Sequence, residues 1–110
     1  MDCPINGLTF GKQSQKSLDE IRRLTKTANW LSIALAGSVL NNIFFRNGPV
    51  AVSYNIKTTD FKLMANSMSS TNPILKRKVN EEASKIMLFN SSSLSFKEKT
   101  FWRCFYNETR

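Results

Sequence analysis

The chain of 110 residues contains no histidine. Without imidazole there is no Ser-His-Asp or Cys-His activation of a nucleophile within the chain, no histidine base titrating near neutral pH, and no histidine ligand for a metal. Acid-base chemistry would fall to lysines or to the eight acidic residues, Asp2, Asp19, Glu20, Asp60, Glu81, Glu82, Glu98 and Glu108. The adjacent pairs among them diverge by about 100° on a helix, so neither reads as a catalytic dyad. Cysteine is almost as scarce: Cys3 and Cys104 stand at opposite ends of the chain. A bridge between them would be worth on the order of 4 kcal/mol in the loop-entropy model. Two unspaced cysteines make neither a disulfide framework nor a metal site, which predicts free reduced thiols and an intracellular setting. Glycine and proline are few, with four and three residues, and they mark turns rather than linkers. The sequence therefore predicts no catalytic, cofactor or metal-ligating residue and no small-molecule substrate, and points to a non-catalytic protein.

One segment imitates a phosphate-binding loop. Gly7-Leu-Thr-Phe-Gly11-Lys12-Gln13-Ser14 approaches the Walker A pattern, but its glycines are one residue too close and no hydroxyl follows the lysine directly, as magnesium binding requires. A turn in the N-terminal arm is the expectation.

What the chain has in abundance is positive charge and one long uncharged run. Sixteen Lys and Arg against eight acidic residues give a formal charge of +8, which attracts polyanions: nucleic acid, an anionic membrane surface, or an acidic protein partner. From Asn29 to Phe45 no residue is charged and most are apolar. Its strongest apolar side chains favour a bilayer by roughly 4 kcal/mol together on the insertion scale, opposed by Asn29, Ser32, Ser38, Asn41 and Asn42, whose unpaired burial costs about 2 kcal/mol or more each. A core helix is the favoured reading. The alternative is a single-pass membrane anchor with a cytoplasmic N-terminus, since Lys12, Lys16, Arg22, Arg23 and Lys26 precede the run.

Length sets one domain, with residues 1–16 as a flexible N-terminal arm and residues 17–110 as the folded unit. Ser17-Leu-Asp-Glu20 reads as a capping box, and Leu18, Ile21, Leu24, Ala28, Leu31 and Leu35 then recur on one helical face. The predicted fold is α+β: a long N-terminal helix with a very apolar second half, ended by Asn47-Gly48-Pro49; a β-hairpin; an amphipathic helix; and an aromatic C-terminal element. The hairpin joins the alternating runs Val50–Lys57 and Phe61–Asn66. The amphipathic helix opens at Asn72-Pro73 and places Leu75, Val79, Ala83, Ile86 and Met87 on one face. In the last segment Ser95 and Glu98 form a second candidate capping box, whereas Thr100–Tyr106 is rich in strand-favouring aromatics; the balance tilts to helix.

Candidate polyanion-binding residues fall in two groups. Lys76, Arg77 and Lys78 lie at a predicted helix N-terminus, where the dipole disfavours cations. Lys97, Lys99, Trp102 and Arg103 interleave charge with aromatic rings, the combination used for stacking and charge neutralisation on single strands. Asn90-Ser-Ser92 and Asn107-Glu-Thr109 match the N-glycosylation sequon. With 11 Asn, 13 Ser and 8 Thr, about two such triplets are expected by chance.

Overall fold

The computed structural model describes residues 3–25, 35, 38–45, 53–71 and 73–110. The fold is α+β and mostly helical. Strand β1 (Ile5–Leu8) is followed by α1 (Lys12–Thr25), α2 (Val39–Phe45), β2 (Tyr54–Ile56), α3 (Thr58–Thr71), α4 (Pro73–Phe89), a 3₁₀ turn (Ser91–Ser93) and α5 (Phe96–Glu108). The strands pair antiparallel in a two-stranded sheet. Helix α4 packs against α1, α3 and α5, and α5 also covers β1.

Order begins earlier than the sequence pattern indicates. The segment expected as a flexible arm holds β1 and the first turn of α1, and Cys3, Ile5 and Leu8 are buried. Ile5 and Leu8 are three residues apart, a spacing that puts opposite faces of a regular strand inward. A β-bulge reconciles them: Ile5 lies opposite Ile56 and Leu8 opposite Tyr54, so β1 spends three steps where β2 spends two. Gly7, at φ 71°, supplies the left-handed residue that such a bulge needs. Without strict alternation, this strand carries no period-two signal.

The first helix starts at Lys12, five residues before the expected cap. Ser17 lies inside it, and Glu20 pairs with Arg23 instead of reaching back to a cap. The expected continuous helix to Phe45 is interrupted: Leu35 is a fully buried turn residue, and the amide of Ser38 donates to its carbonyl at 2.9 Å. Ser38 then starts α2, its hydroxyl accepting from the Leu40 amide and donating to Asp60. At the other end of α2, Arg22 donates through Nε and Nη2 to the carbonyl of Ile43, one of the orphan acceptors of a helix terminus. Of the apolar run, 29–34, 36 and 37 lie outside the described residues, as do the Asn47-Gly48-Pro49 stop and the Asn72 cap. Among the described residues no helix is long and apolar enough to cross a membrane, and the single-pass alternative is unsupported there; α2 has only seven residues.

The second strand of the expected hairpin is a helix. Phe61, Met64, Ala65 and Met68 are buried, a three-four spacing on α3, whereas Leu63 of the alternating pattern is 41% exposed. Asp60 completes the helix start by accepting from the Lys57 amide at 2.8 Å. Strand β2 pairs with β1 instead. Helix α4 follows expectation, burying Leu75, Val79, Ala83 and Ile86.

The core centres on the rings of α5. Phe101 lies 5.0 to 6.4 Å from the ring centroids of Phe10, Phe44, Phe61, Trp102 and Phe105. Beside this cluster Cys3 and Cys104 form a disulfide, their Cα atoms 5.9 Å apart. The expectation of free thiols is overturned, and with it the argument from thiols to an intracellular setting. Spacing along the chain says nothing about this pair, because the packing of β1 on α5 is what brings the two Cα atoms within disulfide reach.

Candidate polyanion interface

Helix α5 positions most of the candidate residues, and its start is defined by a complete capping box. The Ser95 side chain accepts from the Glu98 amide, and Glu98 accepts from the Ser95 amide. From that origin the helical period divides the segment sharply. Glu98, Phe101, Trp102, Cys104 and Phe105 face inward. Phe96, Lys99 and Arg103 are exposed, at spacings of three and four that align them in one outward stripe, and Arg110 is exposed just beyond the helix end.

Trp102, expected to stack on a base, is fully buried. Its ring packs edge-on against Phe101 and Phe105, and its Nε1 donates to Ser14 at 3.0 Å. It belongs to the core and cannot meet a ligand. Trp102→Phe, which removes that donor and leaves a cavity where the larger indole packed, should lower stability by more than about 1 kcal/mol, the net worth of a typical hydrogen bond alone, measured by urea denaturation. The exposed aromatic of α5 is instead Phe96, at 82%, which precedes the basic-aromatic cluster in the chain and so carries no signal from it.

The basic residues separate into two groups along the α4–α5 pair. Asn80 donates to the Tyr106 carbonyl and the Thr109 hydroxyl at 2.9 and 3.1 Å, which sets the first turns of α4 beside the last turn of α5. Arg77 and Lys78, both exposed, therefore lie at the end of the pair that carries Arg110, whose guanidinium stands 5.8 Å from the Tyr106 ring. Lys76 is turned aside, donating to Ser69 at 2.9 Å. Lys97 and Lys99 occupy the opposite end of α5, and Lys97 reaches toward the Gly7 carbonyl at 3.4 Å. Arg103 lies between the groups.

Local compensation of this charge is small. The ion pairs among the described residues are Arg22–Asp19, Arg23–Glu20 and Lys85–Glu82. Lys76, Arg77, Lys78, Lys97, Lys99, Arg103 and Arg110 make none among the described residues. Glu98 does not offset them at the surface, because it is buried at 5% exposure. Its carboxylate accepts from the Gly11 amide at 3.0 Å and from the Ser14 hydroxyl and the Ser95 amide. Burial alone would raise its pKa; the donors from Ser14, Gly11 and Ser95 outweigh it and hold the carboxyl below its ordinary value. The imitation of a phosphate-binding loop ends here, since Gly11 N–H and Ser14 Oγ, the groups that would face a phosphate, are taken by this internal anion. Among the described residues there is no cluster of His, Cys, Asp or Glu fit to hold a metal ion.

No protein-family model, curated protein or solved structure matches this chain.

Proposed function

We propose that this chain is a small basic, non-catalytic binding protein that engages a polyanion through the outer face of the α4–α5 pair. The observation that carries the reading is the set Arg77, Lys78, Lys99, Arg103 and Arg110: four exposed cations on two packed helices and a fifth just past the end of α5, with no ion pair among the described residues. Cations kept in water along a helix retain their attraction for phosphate or sulfate groups on a polymer. Trp102 lies in the core, so recognition rests on charge and not on base stacking, and sequence preference is slight. Nucleic acid, a sulfated polysaccharide and an anionic membrane surface share this chemistry.

Titration against single-stranded nucleic acid, a sulfated polysaccharide and anionic vesicles at several salt concentrations tests the proposal and separates the sources. Affinity should fall linearly on a log-log plot. Replacing Lys99 and Arg103 together by Ala should reduce the slope for single-stranded nucleic acid by about 1.4, near 0.7 for each phosphate no longer neutralised, with the melting temperature unchanged. Absence of binding to all three near 50 mM salt, roughly the low end of the range where such attraction is strongest, would refute the reading.

A further inference from the structure

The turn between α4 and α5 contains Asn90-Ser91-Ser92, one of the two sequons, and the structure treats the two differently. Ser91, Ser92 and Ser93 form a 3₁₀ turn and are all exposed. Asn90 precedes the turn and makes no side-chain cap hydrogen bond to it. In the other sequon, the hydroxyl-bearing residue Thr109 is 2% exposed, and its hydroxyl is held by the Phe105 carbonyl and Asn80. Asn107 itself lies within α5. An enzyme that reads asparagine and hydroxyl together can reach the first sequon on the folded surface, whereas in the second the hydroxyl is buried.

Two further observations bear on the same turn. The Cys3–Cys104 disulfide belongs to an oxidising compartment, the setting in which sequons are used. The turn is also bracketed by apolar side chains: Leu88, Phe89 and Phe96 are 72%, 78% and 82% exposed. Leu88 and Phe89 immediately precede Asn90, and Phe96 opens the helix after the turn. A bulky hydrophilic group on Asn90 would screen this corner from self-association.

We propose that Asn90 is an N-glycosylation site and that its glycan screens the apolar corner formed by Leu88, Phe89 and Phe96. In the transfer the Asn90 amide nitrogen attacks the anomeric carbon of a lipid-pyrophosphate-linked oligosaccharide. A C–N bond forms as the C–O bond to pyrophosphate breaks, the amide releases one proton, and the lipid pyrophosphate leaves with the bonding pair. The polyanion reading plays no part in this inference. Translation of the full chain behind a cleavable signal sequence, with endoplasmic-reticulum microsomes, reads acceptor use whether or not a variant folds. One glycan is expected on the parent chain, retained in Asn107→Gln and abolished in Ser92→Ala. Modification confined to Asn107, or none, would overturn the assignment. In protein isolated from its own cells, glycosidase release in heavy-oxygen water should leave labelled Asp at position 90, and recovery of unmodified Asn90 would equally overturn it.

Discussion

Reduction of the Cys3–Cys104 disulfide should lower the stability of this protein by about 4.7 kcal/mol, the loop-entropy value for a closed segment of roughly 100 residues. The bridge joins positions 101 residues apart, so nearly the whole unfolded chain is held in a ring, and opening it returns that entropy to the denatured ensemble. Native packing changes little, because both cysteines are buried, Cys3 donates its amide to Thr58, and β1 stays paired with β2. Against a total of about 5 to 15 kcal/mol for a typical domain, the loss is decisive. Urea unfolding with and without reductant should show a fall in midpoint together with a steeper slope, because the opened chain exposes more surface on unfolding. Cys104→Ser should match the reduced protein in midpoint. A midpoint indifferent to reductant would mean that the bridge does not form.

The same bridge shows where sequence reasoning reached and where it stopped. Local signals were legible in part: the Ser95–Glu98 box at the start of α5 and the apolar face of α4 stand as their residues indicate, whereas the matching Ser17–Glu20 pattern lies inside α1. Signals that depend on a distant partner were not. Strand β1 is defined by β2, some 46 to 51 residues away across its register pairs, and its bulge erases the alternation that would have announced it. Phe61 to Met68 carried both periods at once, and α3 followed the longer one, which buries Phe61, Met64, Ala65 and Met68. For the candidate interface, charge was readable but exposure was not. Trp102 and Arg103 are neighbours in sequence, yet one is fully buried and the other exposed. Their separation follows from the helical period of α5 and from the aromatic core it meets, neither of which a count of cations and rings contains.

Replacing Glu98 should produce the largest pH-dependent change in this molecule. One carboxylate serves two helix starts: it is the N3 acceptor of the α5 capping box, and it sits at the positive end of α1, taking the amide of Gly11 and the hydroxyl of Ser14. Through Ser14 it also fixes the donor of Trp102 at the centre of the aromatic cluster. Glu98→Ala leaves three donors without their acceptor, and of these only the Ser14 hydroxyl belongs to a buried residue while Gly11 and Ser95 are exposed, so the cost is about 1 to 3 kcal/mol, that of one buried unsatisfied group. Glu98→Gln keeps the shape, but besides losing the charge it puts an NH2 donor where one acceptor oxygen stood, opposite either the Ser95 amide or the Gly11 and Ser14 donors; the cost is about 1.5 to 3 kcal/mol. The two variants separate packing from ionisation. Because the folded-state pKa of Glu98 lies below its ordinary value, the ionised carboxylate stabilises the fold fully above the unfolded-state value of about 4.3, and that contribution is lost as pH falls through the folded-state value. The stability gap between the parent chain and Glu98→Gln should therefore be widest near neutral pH, about pH 7, and should narrow progressively below about pH 4.3. Urea midpoints measured for both proteins across that range provide the check, and a gap that stays constant into acid would show that the carboxylate holds α1 and α5 together by shape and not by charge.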